Sequence, residues 1–98
     1  MLKAMLFKAL DDYQNANTHL PEEYNLGVAW AIRQFKKSFI TSNIQDLIDD
    51  MRVKNGKLEL GINKESAYEL GYLNANRFIL SYLESIQHQE SAVSSLKA

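Results

Sequence analysis

Tyr68-Glu-Leu-Gly71-Tyr-Leu-Asn-Ala75-Asn-Arg-Phe-Ile79-Leu-Ser-Tyr82-Leu-Glu-Ser-Ile86 is the stretch on which the fold turns. Tyr68, Tyr72, Ala75, Ile79, Tyr82 and Ile86 alternate four and three apart, the spacing of a seam along which helices pack. Gly71, Phe78 and Leu83 widen the apolar arc to roughly 140°, the breadth of a helix that faces a core. The spacing predicts a long helix over about Lys64 to Gln87, capped by Asn63, and makes it the organising element.

The start of that stretch has an echo upstream. Tyr24-Asn-Leu26-Gly27-x-x-x-Ala31-x-Arg33 matches Tyr68-Glu-Leu70-Gly71-x-x-x-Ala75-x-Arg77 at Tyr, Leu, Gly, Ala and Arg, with an offset of 44 residues. A glycine inside a helix costs roughly 1 kcal/mol in propensity. Gly and Ala four apart form a shallow stripe that lets another backbone come close. Gly27, Ala31, Gly71 and Ala75 are therefore read as a close crossing of two helices.

Working outward, Leu2, Met5, Leu6, Ala9, Leu10 and Tyr13 recur at helical spacing and predict a first helix over 2–16. Pro21 followed by Glu22 and Glu23 is a helix-start signature, because proline needs no N–H in the first turn and carboxylates favour the positive helix end. This second helix is expected to run to about Ile40. Thr41, Ser42 and Asn43 are candidate caps for a short third helix carrying Ile44, Leu47 and Ile48.

Met51 to Leu60 reads differently. Asn55-Gly56 is a strong signal for a two-residue hairpin turn. The implied pairs, Val53 with Leu58, Met51 with Leu60 and Arg52 with Glu59, are mutually favourable, and only Lys54 opposite Lys57 is discordant. The fold expected is a mainly α bundle of three long or medium helices and one short one, with a β-hairpin at about 51–60 as a minor component. Residues 1–88 form its single helical domain, and the serine-rich stretch 89–98 reads as a flexible C-terminal tail.

Composition narrows the function. Ninety-eight residues suffice for one modest core and not for a two-domain enzyme. The net charge of −1, from eleven basic and twelve acidic residues, lacks the basic excess of a strong electrostatic nucleic-acid binder. With no cysteine, thiolate chemistry is absent. No apolar run approaches the ~20 residues of a spanning helix, and Asp11 and Asp12 interrupt a signal-peptide reading. A cytoplasmic location without membrane contact is the expectation.

No catalytic constellation presents itself. His88 lies four residues after Glu84, the spacing of two metal ligands on one helix face, but two ligands are not a site. The pairs Asp11/Asp12, Glu22/Glu23 and Asp49/Asp50 are adjacent, and adjacent helical residues diverge by about 100°. The chain is expected to be non-enzymatic, with no metal and no cofactor.

What remains is surface. Leu26 and Trp30 fall opposite Val28 and Ile32 on the second helix, in one stripe with Arg33 and Lys37. Tryptophan and arginine are enriched at binding hot spots. Leu70, Leu73 and Leu80 lie beside Arg77, off the tyrosine seam, and Phe7 is off-face on the first helix. Grouped apolar residues on a second face point to a partner. The expectation is a small adaptor, inhibitor or regulator that binds another protein through Leu26, Trp30, Arg33 and Lys37. It would self-associate, most simply as a homodimer, through Leu70, Leu73, Arg77 and Leu80. The alternative is a winged-helix-like DNA-binding transcriptional regulator, with Arg52, Lys54 and Lys57 on the hairpin and Lys64 just beyond it as phosphate contacts. Asp46, Asp49 and Asp50 on the would-be recognition helix oppose it, since they would face a polyanion.

Overall fold

The computed structural model describes residues 2–16, 18–39 and 43–97, with the backbone alone for Leu2 and for 89–97. Four helices follow in order: α1 (Leu2–Ala16), α2 (Glu22–Ser38), α3 (Ile44–Gly61) and α4 (Ala67–Lys97). The protein is mainly helical, as its periodicity indicates. Helix α4 continues through the stretch read as a tail, whose side chains lie outside the described residues.

Local chemistry sets the boundaries. Pro21 precedes α2, and its carbonyl accepts the Asn25 N–H at 3.1 Å. Glu22 and Glu23 occupy the first turn of α2 and Lys36 and Lys37 the last, each matching the sign of the helix dipole. Asn43 caps α3, its Oδ1 accepting the Asp46 N–H at 2.9 Å. Thr41 and Ser42, the other candidate caps, and Ile40 lie outside the described residues. At α4 the cap is Ser66 rather than Asn63: Ser66 Oγ accepts the Glu69 N–H at 3.3 Å. Asn63 instead closes the preceding turn, its Oδ1 accepting from Glu65 N–H at 3.0 Å. The serine-to-glutamate spacing from 66 to 69 is that of a capping box and marks this start.

The hairpin expected at 51–60 is not there. Helix α3 runs unbroken through it, and no strand occurs among the described residues. A lone two-stranded hairpin has no third strand to shelter it and is marginal in water, whereas Leu47, Ile48, Met51 and Asn55 fall on one helical face that α4 buries. Asn55, the residue that made the turn signal, is a buried helix residue. Its Nδ2 donates to the Asn76 carbonyl at 3.2 Å. Gly56 beside it has no positive φ, and beyond its own stretch of helix backbone nothing lies within 4 Å of a Cβ placed there. The third helix is therefore a full-length element of 18 residues.

Helices α3 and α4 run antiparallel, shown by a ladder of contacts: Gln45 with Gln87, Arg52 with Glu84, Asn55 with Asn76 and Glu59 with Arg77. Helix α1 runs back along α2, with Asp11 on Lys36 at 2.7 Å and the Phe7 and Phe39 rings 5.6 Å apart. Between the two helix pairs lies the core. Leu6, Leu10, Val28, Ala31, Ile32, Phe35, Ile48, Ala75, Ile79 and Leu83 fill it. Met5, read onto the core face of the first helix, is half exposed.

The pairs meet where α2 touches α4. A Cβ on Gly27 would stand 2.0 Å from the Tyr68 carbonyl oxygen, and one on Gly71 would stand 2.1 Å from that of Tyr24. The contact is reciprocal: each repeat's glycine receives the carbonyl of the other repeat's tyrosine. Both obstacles are backbone, so a side chain cannot push them aside.

Replacing Gly71 by alanine or leucine, or Gly27 by alanine, is expected to force the helices apart and lower stability by about 1–3 kcal/mol or more. Gly56→Ala, in open space within a helix, is expected to raise it by about 0.5–1 kcal/mol. Thermal or urea unfolding of the variants checks both signs. A second expectation concerns alkali. Tyr13 stacks on Phe78 at 4.2 Å, and burial, reinforced by neighbouring Tyr24, pushes its phenol up to about 12 from the ordinary 10.0. A neutral form preferred by the fold contributes its full stability below pH 10, and that contribution is lost as pH rises toward 12. Tyr13→Phe should flatten this alkaline decline in melting temperature.

Candidate functional site

Helix α2 has two faces with different fates. Gly27, Val28, Ala31, Ile32 and Phe35 go inward. The residues between them point out: Leu26 keeps 54% of its surface and Trp30 44%, with Arg33 and Lys37 exposed along the same stripe. A tryptophan left so open in so small a protein needs a reason.

Trp30 stands between two recesses. On one side is a cavity of about 380 Å³, walled by Leu58, Gly61 and Ile62 from the end of α3 and its loop and by Tyr68 and Tyr72 from α4, with Lys57 and Glu69 at its edge. On the other is a wider, shallower one of about 860 Å³ lined by Arg33, Gln34, Lys37, Ser38 and Lys54. The divide between them is built rather than loose. Tyr72 Oη donates to Gln34 Oε1, Lys54 Nζ donates to the same oxygen at 3.3 Å, and the Lys54 ammonium lies 5.2 Å from the centre of the Tyr72 ring. One glutamine thereby ties α2, α3 and α4 together under Trp30. Leu26 and Tyr68 extend the apolar surface along the other flank.

The electrostatics are one-sided. Arg33, Lys37, Lys54 and Lys57 surround Trp30, and among the described residues none of them forms an ion pair; Glu69 is the one carboxylate in either recess. The carboxylates of Asp11, Asp12, Glu59 and Glu84 are held by Lys36, Lys8, Arg77 and Arg52 on other faces.

The four partner-binding residues expected from the sequence thus share one exposed face. The wall opposite them, made by Leu58, Ile62, Tyr68 and Tyr72, was not legible, because a hairpin at 51–60 would have carried Lys57 and Leu58 elsewhere. The self-association set has a different fate. Leu73 is 1% exposed, Leu80 packs on the core, and Leu70 is half-buried. Arg77 reaches Glu59 on α3 at 2.9 Å. Leu73 and Leu80 are thus taken up within the chain, and Arg77 is engaged by α3. Phe7 likewise packs on the core, with the Lys36 ammonium 5.1 Å from its ring centre.

Polar side chains elsewhere are largely engaged within the fold. Asn74 donates to Tyr24 Oη at 2.9 Å, and Asn76 donates to the Tyr72 carbonyl at 2.9 Å. Glu84 is engaged by Arg52 at 3.0 Å, while His19 and His88 are exposed. Among the described residues no three His, Asp or Glu side chains converge as a metal site, and no helix is long and apolar enough to cross a membrane. The DNA-binding alternative needed a hairpin wing, and its Arg52, Lys54 and Lys57 stand instead on a helix. No protein-family model, curated protein or solved structure matches the chain.

If the Leu70, Leu73, Arg77 and Leu80 face is internal, the protein should sediment as a monomer over the whole accessible concentration range. Arg77→Ala should cost only about 0.2–1 kcal/mol of stability, as befits a half-exposed ion pair, and leave the sedimentation coefficient unchanged.

Proposed function

We propose that this is a non-enzymatic protein-binding domain that docks a segment of another protein onto the face built around Trp30. The observation that carries this reading is the pairing of a half-exposed Trp30 with a preformed apolar recess whose walls come from α3, its loop and α4. Hot spots of recognition typically centre on a tryptophan or arginine beside a pocket and are ringed by polar groups that exclude water. Here Trp30 is the centre and Arg33, Lys37, Lys54 and Lys57 are the ring.

The physical economy supports it. A domain of this size has little apolar surface to spare, and burying the exposed remainder of Trp30 and Leu26 within the chain would have strengthened its core. Left open, that remainder contributes nothing to folding, and its burial is available to a partner. The Gln34–Tyr72–Lys54 network fixes the recess before any partner arrives, which reduces the ordering cost of association. The helix pairs supply the rigid frame, and the expected dimer forms no part of the proposal.

Trp30→Ala is expected to weaken partner binding by about 2 kcal/mol or more, the scale of a central anchor, while lowering unfolding free energy by about 1–2 kcal/mol, the worth of the half of the indole already buried in the free protein. Binding and urea unfolding measured on the same variant separate the two effects. Equal capture of every partner by Trp30→Ala and wild type would remove the proposal.

A further inference from the structure

The charge around Trp30 says what kind of segment fits, and the step rests on the docking reading above. We infer that the occupant is an acidic amphipathic helix, with one apolar side chain seated in the recess between Trp30, Ile62 and Tyr68 and carboxylates laid along Arg33, Lys37 and Lys54. Three observations meet here. The recess is walled mainly by hydrocarbon and aromatic rings, so it takes an apolar anchor. Its volume of about 380 Å³ suits a side chain or two rather than a whole apolar face. The ground beside it carries cations that no carboxylate of this chain neutralises among the described residues, although the chain as a whole has net charge −1.

Arg33 and Lys37 are four apart on one helix, so carboxylates at helical spacing on an incoming helix can meet both, as in helix-in-groove recognition. A second copy of this chain docking through the same face would bring the same four cations and be repelled. A nucleic acid offers phosphates but no aliphatic anchor for the recess, and a net-negative protein does not attract it at long range.

The test is a selection of displayed random 16-residue peptides on the full chain, counter-selected against Trp30→Ala, followed by titration of the best synthetic peptides. Trp30 is the one tryptophan in the chain, so its fluorescence reports occupancy directly. The expected winners are net negative, with leucine or aromatic residues three and four apart. Their affinity should fall at least tenfold in Arg33→Glu/Lys37→Glu, a pair of exposed substitutions whose folding is verified by circular dichroism, and should fall again at high salt. Winners that are neutral or basic, or that ignore the charge reversal, overturn the acidic partner and leave the docking reading standing. No Trp30-dependent winner at all overturns both. Quenching of Trp30 by single-stranded oligothymidine in place of any peptide also overturns the proposal, in favour of a nucleic acid.

Discussion

The rest of the structure depends on two backbones touching. At Gly27 and Gly71 helices α2 and α4 come so close that the carbonyl of Tyr68 or Tyr24 occupies the place where a side chain would begin. Contacts this short bring dispersion attraction along the whole seam and bury Ala31 and Ala75 completely. They also fix register, since sliding either helix by a turn would drive a larger residue into a space that admits only hydrogen. Each helix carries an antiparallel companion, α1 on α2 and α3 on α4. The chain is thus two helix pairs joined back to back, and the 44-residue repeat is the local trace of that arrangement.

Much of this was legible because it is local or periodic. The bounds of α1, the start of α2 after Pro21, the central role of α4 and the stripe of Gly27, Ala31, Gly71 and Ala75 all follow from spacing and backbone chemistry. The hairpin did not survive for a physical reason. Asn-Gly raises the odds of a turn only when nothing larger competes, and here α4 offers Leu47, Ile48, Met51 and Asn55 a surface to bury against. A buried asparagine is also easy to misread, since its place in the joint depends on the Asn76 carbonyl, 21 positions away. Spacing alone left Leu73 open to two readings, a docking face or a second buried face, and it is 1% exposed. Helix α4 has two buried faces, toward α2 and toward α3, and a helix wrapped on two sides hides residues that a single moment places outside.

The buried polar pair at the α3–α4 joint is the part of the core that hydrocarbon alone would not specify. Asn55 and Asn76 each donate once, to the carbonyls of Asn76 and Tyr72, and each keeps a buried Oδ1 without a partner among the described atoms. Two apolar residues there would be less particular about alignment. Asn55, donating to the Asn76 carbonyl, ties α3 to one position along α4, and that position sets where Lys54, Lys57 and Leu58 stand relative to Trp30. Register inside the joint thus determines the shape of the surface outside it.

The repeat also explains why one face is left open. Arg33 and Arg77 occupy equivalent places, yet Arg77 meets Glu59 at the end of α3 and Arg33 meets no carboxylate among the described residues. The residue of α1 equivalent to Glu59 is Asn15, and the neighbouring Gln14 is what lies near Arg33. Both are uncharged, so the cation is left over. The same asymmetry separates Asn74, which satisfies the Tyr24 hydroxyl, from its counterpart Trp30, which stands over a recess beside Tyr68. In one half of the molecule the repeat's outer positions are consumed in holding a neighbouring helix. In the other half they carry an indole and a guanidinium that meets no carboxylate among the described residues, side chains that do little for a helix exposed to water and that suit the proposed segment with its carboxylates and apolar anchor.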